Sequence, residues 1–189
     1  MRTWTRKNSL GGVRLRTDMD AREAAVLRSL VGSVLGLLHE RADSVPEDDL
    51  AALTGLRMGN NTPPDDATLA RLLPDFHRSD PDKPDDDRAD MNGALRSLHE
   101  PEIIDEKLAA GQVILETVPA EGGRILLTRE QADAWLNGLN DVRLALGTTL
   151  QIDADTPDHL EPDDPRAPHL DVYHWLTWIQ DSLLQAMAP

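Results

Sequence analysis

The sequence has 189 residues, no cysteine and a formal charge of −15, from 34 acidic and 19 basic side chains. The missing cysteines exclude disulfides, thiolate metal ligands and thiol nucleophiles. The negative field disfavours nonspecific binding of the body to phosphate backbones or anionic membranes. Aromatic residues make up only 3% of the chain, so the core must come from Leu, Val, Ile and Ala, which suits packed helices. No apolar run approaches the ~20 residues of a membrane span or the apolar segment of a signal peptide. A cytoplasmic protein with no membrane partner is expected.

The charge is unevenly placed. Residues 1–16 carry Arg2, Arg6, Lys7, Arg14 and Arg16 and no acid, which leaves −20 on the rest. Residues 1–11 are expected to form a flexible basic arm able to contact nucleic acid or a protein partner, and residues 12–189 a single helical domain. Gly11-Gly12 precede the alternating run Val13 to Thr17, which reads as a short strand. Asp20 with Glu23 forms a variant of the capping box, opening a helix over 21–41. Its stripe Ala24, Leu27, Leu30, Val31, Val34 and Leu38, widened by Val26, Leu35 and Leu37, marks it as the expected central helix.

Short helices are expected over 48–56 and 66–73, separated by the loop Gly59 to Pro64 and stopped at Pro74. The acidic, proline-rich stretch 79–87 reads as an exposed connector. Helices over 88–98 and 102–118 follow, with Pro101 at the N-terminal turn of the second. Gly122-Gly123 and the run Arg124 to Thr128 repeat the opening strand pattern, so the two runs are candidates to pair as a ribbon across about 110 residues. Thr128 to Gln131 is a capping box that opens a helix over 129–150. A second acidic loop, 153–168, precedes the last helix over 170–188. The expected fold is mainly α: a single-domain bundle of six or seven helices with a small two-stranded β-ribbon.

Catalytic and metal motifs are missing. The histidines at 39, 77, 99, 159, 169 and 174 show no metal-ligand spacing, and the acidic run from Asp153 lacks the glycine and closing glutamate of a calcium loop. No nucleophile elbow, phosphate loop or dinucleotide fingerprint is present. No catalytic residue, metal or cofactor is therefore assigned, and a non-enzymatic protein is expected.

Two helical positions stand out. Arg143 falls within the apolar arc of Trp135, Leu136, Leu139, Val142, Leu146 and Leu150. Either its stem packs while its head meets a local acid, or it faces an acidic groove or partner. Trp178 lies outside the apolar face of the last helix, beside His174, with Trp175 on the flank. Either a loop or the N-terminal segment covers it, or it anchors a partner or homodimer interface, or it is simply exposed.

The blocks Val13-Arg14-Leu15-Arg16, Glu23 to Gly32, Leu69 to Asp75, Leu126 to Leu136, Leu139 to Thr148 and Tyr173 to Leu183 occur in an order that resembles the actinobacterial AosR family, formerly a domain of unknown function. The resemblance implies a transcriptional regulator of the oxidative-stress response, working with RNA polymerase and an alternative sigma factor. It also implies redox control through cysteines, for which this chain has no residue. An acidic body suits contact with the basic surfaces of transcription proteins, with DNA reached only indirectly or through the arm. An adaptor in protein turnover presenting clients through the last helix, and a metal-dependent enzyme built from scattered His and Asp, are the competing readings.

Overall fold

The computed structural model describes residues 1–9, 12–45, 57–77, 86–161 and 163–188. Among these residues the elements are β1 (Thr5–Ser9), β2 (Gly12–Met19), α1 (Ala21–Asp43), α2 (Ala67–Leu72), α3 (Asp86–Thr117), β3 (Gly123–Leu127), α4 (Arg129–Thr149) and α5 (Ala167–Met187). The chain is mainly helical, but with five described helices rather than six or seven, and the ribbon is a three-stranded sheet. The helix expected over 48–56 lies outside the described residues. No helix among the described residues is long and apolar enough to cross a membrane.

The two helices expected on either side of Pro101 are a single helix, α3. Proline offers no N–H to the carbonyl four residues earlier, which here is Ser97. A loop supplies the missing donor. Gly59 N–H donates to Ser97 O at 2.6 Å, and Ser97 Oγ donates back to Gly59 O at 3.1 Å. Only glycine permits this approach, because a Cβ at 59 would lie 2.9 Å from Pro101 Cδ. Sequence rules read the proline as a boundary because the compensating donor lies far away in the chain.

The two β-like runs do pair antiparallel, with Leu15 opposite Leu127 and Thr17 opposite Ile125. Leu15, Thr17, Met19, Ile125 and Leu127 are buried, so one sheet face seals the core. Gly122 makes the entry to β3 possible. Its φ is +72°, and a Cβ there would lie 2.5 Å from the Asp20 carbonyl carbon.

Residues 1–9, the described part of the expected flexible arm, pack onto the fold. Residues 5–9 form β1, the edge strand paired with β2. Trp4 is 3% exposed, stands edge-on to Trp135 with ring centroids 5.3 Å apart, and donates its backbone N–H to Ser182 Oγ at 3.3 Å. Burying an indole of this size offsets the cost of ordering a short polar segment.

The central helix is α4 rather than α1. It packs against α1, α2, α3, α5 and the sheet, and Ala132, Trp135, Gly138, Leu139, Asp141, Val142, Ala145 and Leu146 are buried along it. By contrast α1 leaves Ala25, Ser29, Gly32, Ser33 and Gly36 exposed. These small residues make α1 look apolar all round in sequence although one side faces water. Both expected caps form. Glu23 N–H donates to Asp20 Oδ1 at 2.9 Å, and Gln131 N–H donates to Thr128 Oγ1 at 3.2 Å.

A buried ionic cluster latches residues 57–77 to α1 and α3. Arg96 donates to Glu100 at 2.7 Å, to Asp75 at 2.8 Å and to Leu73 O at 3.0 Å. Arg41 donates to the other Glu100 oxygen at 2.7 Å and to Thr62 O at 2.6 Å. The Glu100 and Arg96 side chains are 3% and 2% exposed. Removing one member of such a cluster strands the others without water or a counter-charge. Replacing Glu100 with Ala should therefore cost about 3–5 kcal/mol in urea unfolding. A loss under about 1 kcal/mol would show that these charges are solvated.

Candidate functional site

The sheet turns a basic face outward. Opposed residues in an antiparallel pair point to the same side, and register places Lys7 opposite Arg14, Arg16 opposite Leu126, and Asp18 opposite Arg124. Lys7, Arg124 and Leu126 are exposed, Arg14 and Arg16 half-buried. Asp18 lies 3.4 Å from Arg16 and 3.9 Å from Arg124, so the patch carries three more positive charges than negative. The structure thus gathers three of the five basic residues expected in an arm, and adds Arg124 and Leu126. Those two were legible once the ribbon register was accepted, because inward Ile125 and Leu127 force them outward.

Arg6 does not join this face. It sits opposite inward-facing Leu15, and its guanidinium donates to Ala188 O at 2.9 Å. Arg129 does the same for Met187 O at 3.0 Å. Together they clamp the C-terminus of α5, whose last turn has no basic residue, where cations offset the negative helix end. Arg2 is exposed, and its backbone carries the sheet edge on, its N–H donating to Asp18 O at 2.9 Å.

The second candidate surface is an apolar groove between α1 and the first half of α5. It encloses about 340 Å³ and is lined by Arg22, Glu23, Val26, Pro168, Asp171, Val172 and Trp175. Trp178 follows Trp175 by three residues on the same side of α5 and is 40% exposed. On the same side of α1 as Val26 stand Ser29, Leu30, Ser33 and Leu37, exposed or half-buried and none of them charged. His174 is half-buried, its Nε2 at 3.0 Å from Asp158 O, which ties the second acidic loop to the same helix.

Arg143 meets neutral partners rather than a local acid. Its Nε donates to Thr177 Oγ1 at 3.0 Å and its Nη1 to Gln180 Oε1 at 2.6 Å, with the guanidinium 5.3 Å above the Tyr173 ring. Among the described residues no three of His, Asp and Glu converge as a metal site. One buried titratable pair stands apart from both surfaces. Lys107 Nζ donates to Asp141 Oδ1 at 2.6 Å, and burial pushes the Asp141 carboxyl above the usual carboxylate range against the opposing pull of Lys107.

A family model described as a domain of unknown function, DUF2017, matches residues 1–187. The oxidative stress regulators AosR of Mycobacterium bovis and of Mycobacterium tuberculosis (strain ATCC 25618 / H37Rv) are each 46% identical over 190 residues, 97% of this chain and 87% of theirs. A Mycobacterium leprae relative is 46% identical over 193 residues, 99% of this chain and 88% of its own. The chain belongs to the AosR family. No solved structure matches it.

In this AosR-family chain, Asp141 yields a signed pH dependence. A carboxyl raised above its unfolded value favours folding most when protonated, so its contribution is present at low pH and is lost as pH rises through the raised value. Replacing Asp141 with Asn removes that slope. The stability of wild type relative to Asp141→Asn should fall as pH increases from about 4, read as urea midpoints across a pH series. A difference independent of pH would show that Asp141 titrates normally.

Proposed function

We propose that this chain is a non-enzymatic transcription regulator linked to oxidative stress. It acts in the cytoplasm through protein contact with the transcription machinery, such as RNA polymerase or an alternative sigma factor. The observation that carries the reading is near-full-length similarity to proteins named as oxidative stress regulators. The surface supports it. Trp175, exposed Trp178 and the uncharged side of α1 provide an apolar anchor of the type enriched at protein hot spots. The acidic body surrounding it suits a partner whose contact is rimmed by basic residues. The basic sheet face would meet DNA phosphates only where that partner holds DNA, since a body of charge −15 does not approach a duplex unaided.

The absence of cysteine shapes the mechanism proposed. The chain cannot register an oxidant through a thiol of its own, so the stress signal reaches it through its partner, its ligand or its abundance. Diamide or N-ethylmaleimide treatment of the isolated chain should leave partner retention unchanged. Loss of retention under that treatment would overturn this point.

The direct test is affinity capture with the purified chain. Wild type should retain a polymerase or sigma component. Trp178→Ala should weaken retention at least tenfold, which is within the hot-spot range, with an unchanged melting temperature. Equal losses of binding and melting temperature would make Trp178 a core residue. Retention of turnover clients in place of transcription proteins would favour the adaptor reading, and a stable dimer lost with Trp178 would assign the surface to a second copy.

A further inference from the structure

Four arginines among the described residues close helix ends. Arg96 donates to Leu73 O at the end of α2, Arg28 to Leu115 O and Val118 O at the end of α3, and Arg6 and Arg129 to the last carbonyls of α5. The C-terminus of α4 is different. Its carbonyls are taken by the chain's own turn, with Ile152 N–H donating to Gly147 O at 2.9 Å and Gln151 N–H to Thr148 O at 3.1 Å. Two guanidinium groups nevertheless stand there. Arg71 and Arg143 line one cavity of about 480 Å³ together with Gln151 and Tyr173.

None of the described residues lining this cavity is acidic, in a chain with 34 acids. Arg71 is exposed and forms no ion pair or hydrogen bond among the described residues. Arg143 spends Nε and Nη1 on Thr177 and Gln180, which leaves N–H groups of its five without a protein acceptor. The first acid after the α4 terminus, Asp153, is turned into its own loop, where it accepts from Asp155 N–H at 3.0 Å and Thr156 Oγ1 at 2.8 Å. The half negative charge of the α4 terminus is outweighed by two full positive charges.

Gln151 adds an independent sign. Its φ of +55° makes it the one non-glycine residue with positive φ among the described residues. It occupies the position after the helix cap, where glycine or asparagine relieves the strain. A glutamine held there is strained, and it lines the cavity. Strain of this kind persists where the side chain has a use.

We infer that Arg71, Arg143, Gln151 and Tyr173 form a binding site for a small molecule bearing an oxyanion, either phosphate or carboxylate. Guanidinium groups supply paired donors of the geometry such anions accept, and the volume exceeds a bare ion and suits a metabolite. The site lies apart from the Trp175–Trp178 groove and does not depend on the protein-contact reading.

Tyr173 is the only tyrosine in the chain, so selective labelling gives a single NMR reporter inside the site. Inorganic phosphate and citrate, titrated separately into the full chain, distinguish the two anion sources. Saturable movement of the Tyr173 ring signals with at least one of them is expected. Arg71→Ala should weaken that binding about tenfold without lowering the melting temperature. Gln151→Gly should raise the melting temperature while weakening binding, an opposed pair of effects that a purely structural glutamine would not give. The inference is overturned if neither anion moves Tyr173 up to about 10 mM, or if both variants bind as wild type does. It is also overturned if Lys7→Ala with Arg124→Ala abolishes binding, which would place the anion on the sheet.

Discussion

The fold is organised around the indole of Trp135. It is fully buried at the middle of the structure, its N–H donates to Thr117 Oγ1 of α3 at 2.8 Å, and its ring receives the edge of Trp4. One side chain therefore fixes α4 against α3 and draws the N-terminus into the core. Trp4 in turn bonds to Ser182 of α5. With so few aromatics available, these two rings carry a large share of the burial that holds helices and sheet together. The cost of the arrangement is a Trp4 indole N–H buried without an acceptor among the described residues, which burial of the ring must outweigh.

Because Trp4 is anchored, β1 is an edge strand and the basic residues near the N-terminus are displayed at fixed spacing. A tethered coil with the same composition would present its charge diffusely. A sheet presents Lys7, Arg14, Arg16 and Arg124 as one surface on a protein whose remaining charge is negative. The opposite kind of surface is the mainly apolar groove between α1 and α5, with Val26, Val172 and Trp175 among its lining. Both surfaces are built on regular elements, one on the sheet and the other on α1 and α5.

Positive charge inside the acidic body follows a different logic. Arg28, Arg96, Arg6 and Arg129 close helix C-termini across the fold, and Arg41 with Arg96 brackets the buried Glu100. Satisfying buried carbonyls with guanidinium groups both pairs orphan acceptors and offsets the helix dipole. Arg71 and Arg143 are not used in this way; both line the cavity at the end of α4.

Local patterns in the sequence determined a good deal. The capping boxes at Asp20 and Thr128, the apolar periodicity of 129–150 and the pairing of Val13 to Thr17 with Arg124 to Thr128 were all legible, because each depends on residues a few positions apart or on alternation alone. The family was legible too, from the order of several blocks. Tertiary structure alone decided the rest. Pro101 lies inside a helix because Gly59 supplies a donor from another segment. The N-terminal segment is a strand because Trp4 finds Trp135. The central helix is α4 because small residues on α1 mimic burial without having it. Arg143 meets Thr177 and Gln180, and Arg6 leaves the basic face for Ala188, because a guanidinium's partner is set by which carbonyls and side chains the packing leaves open. Those vacancies are created by contacts between distant segments, and no local pattern encodes them.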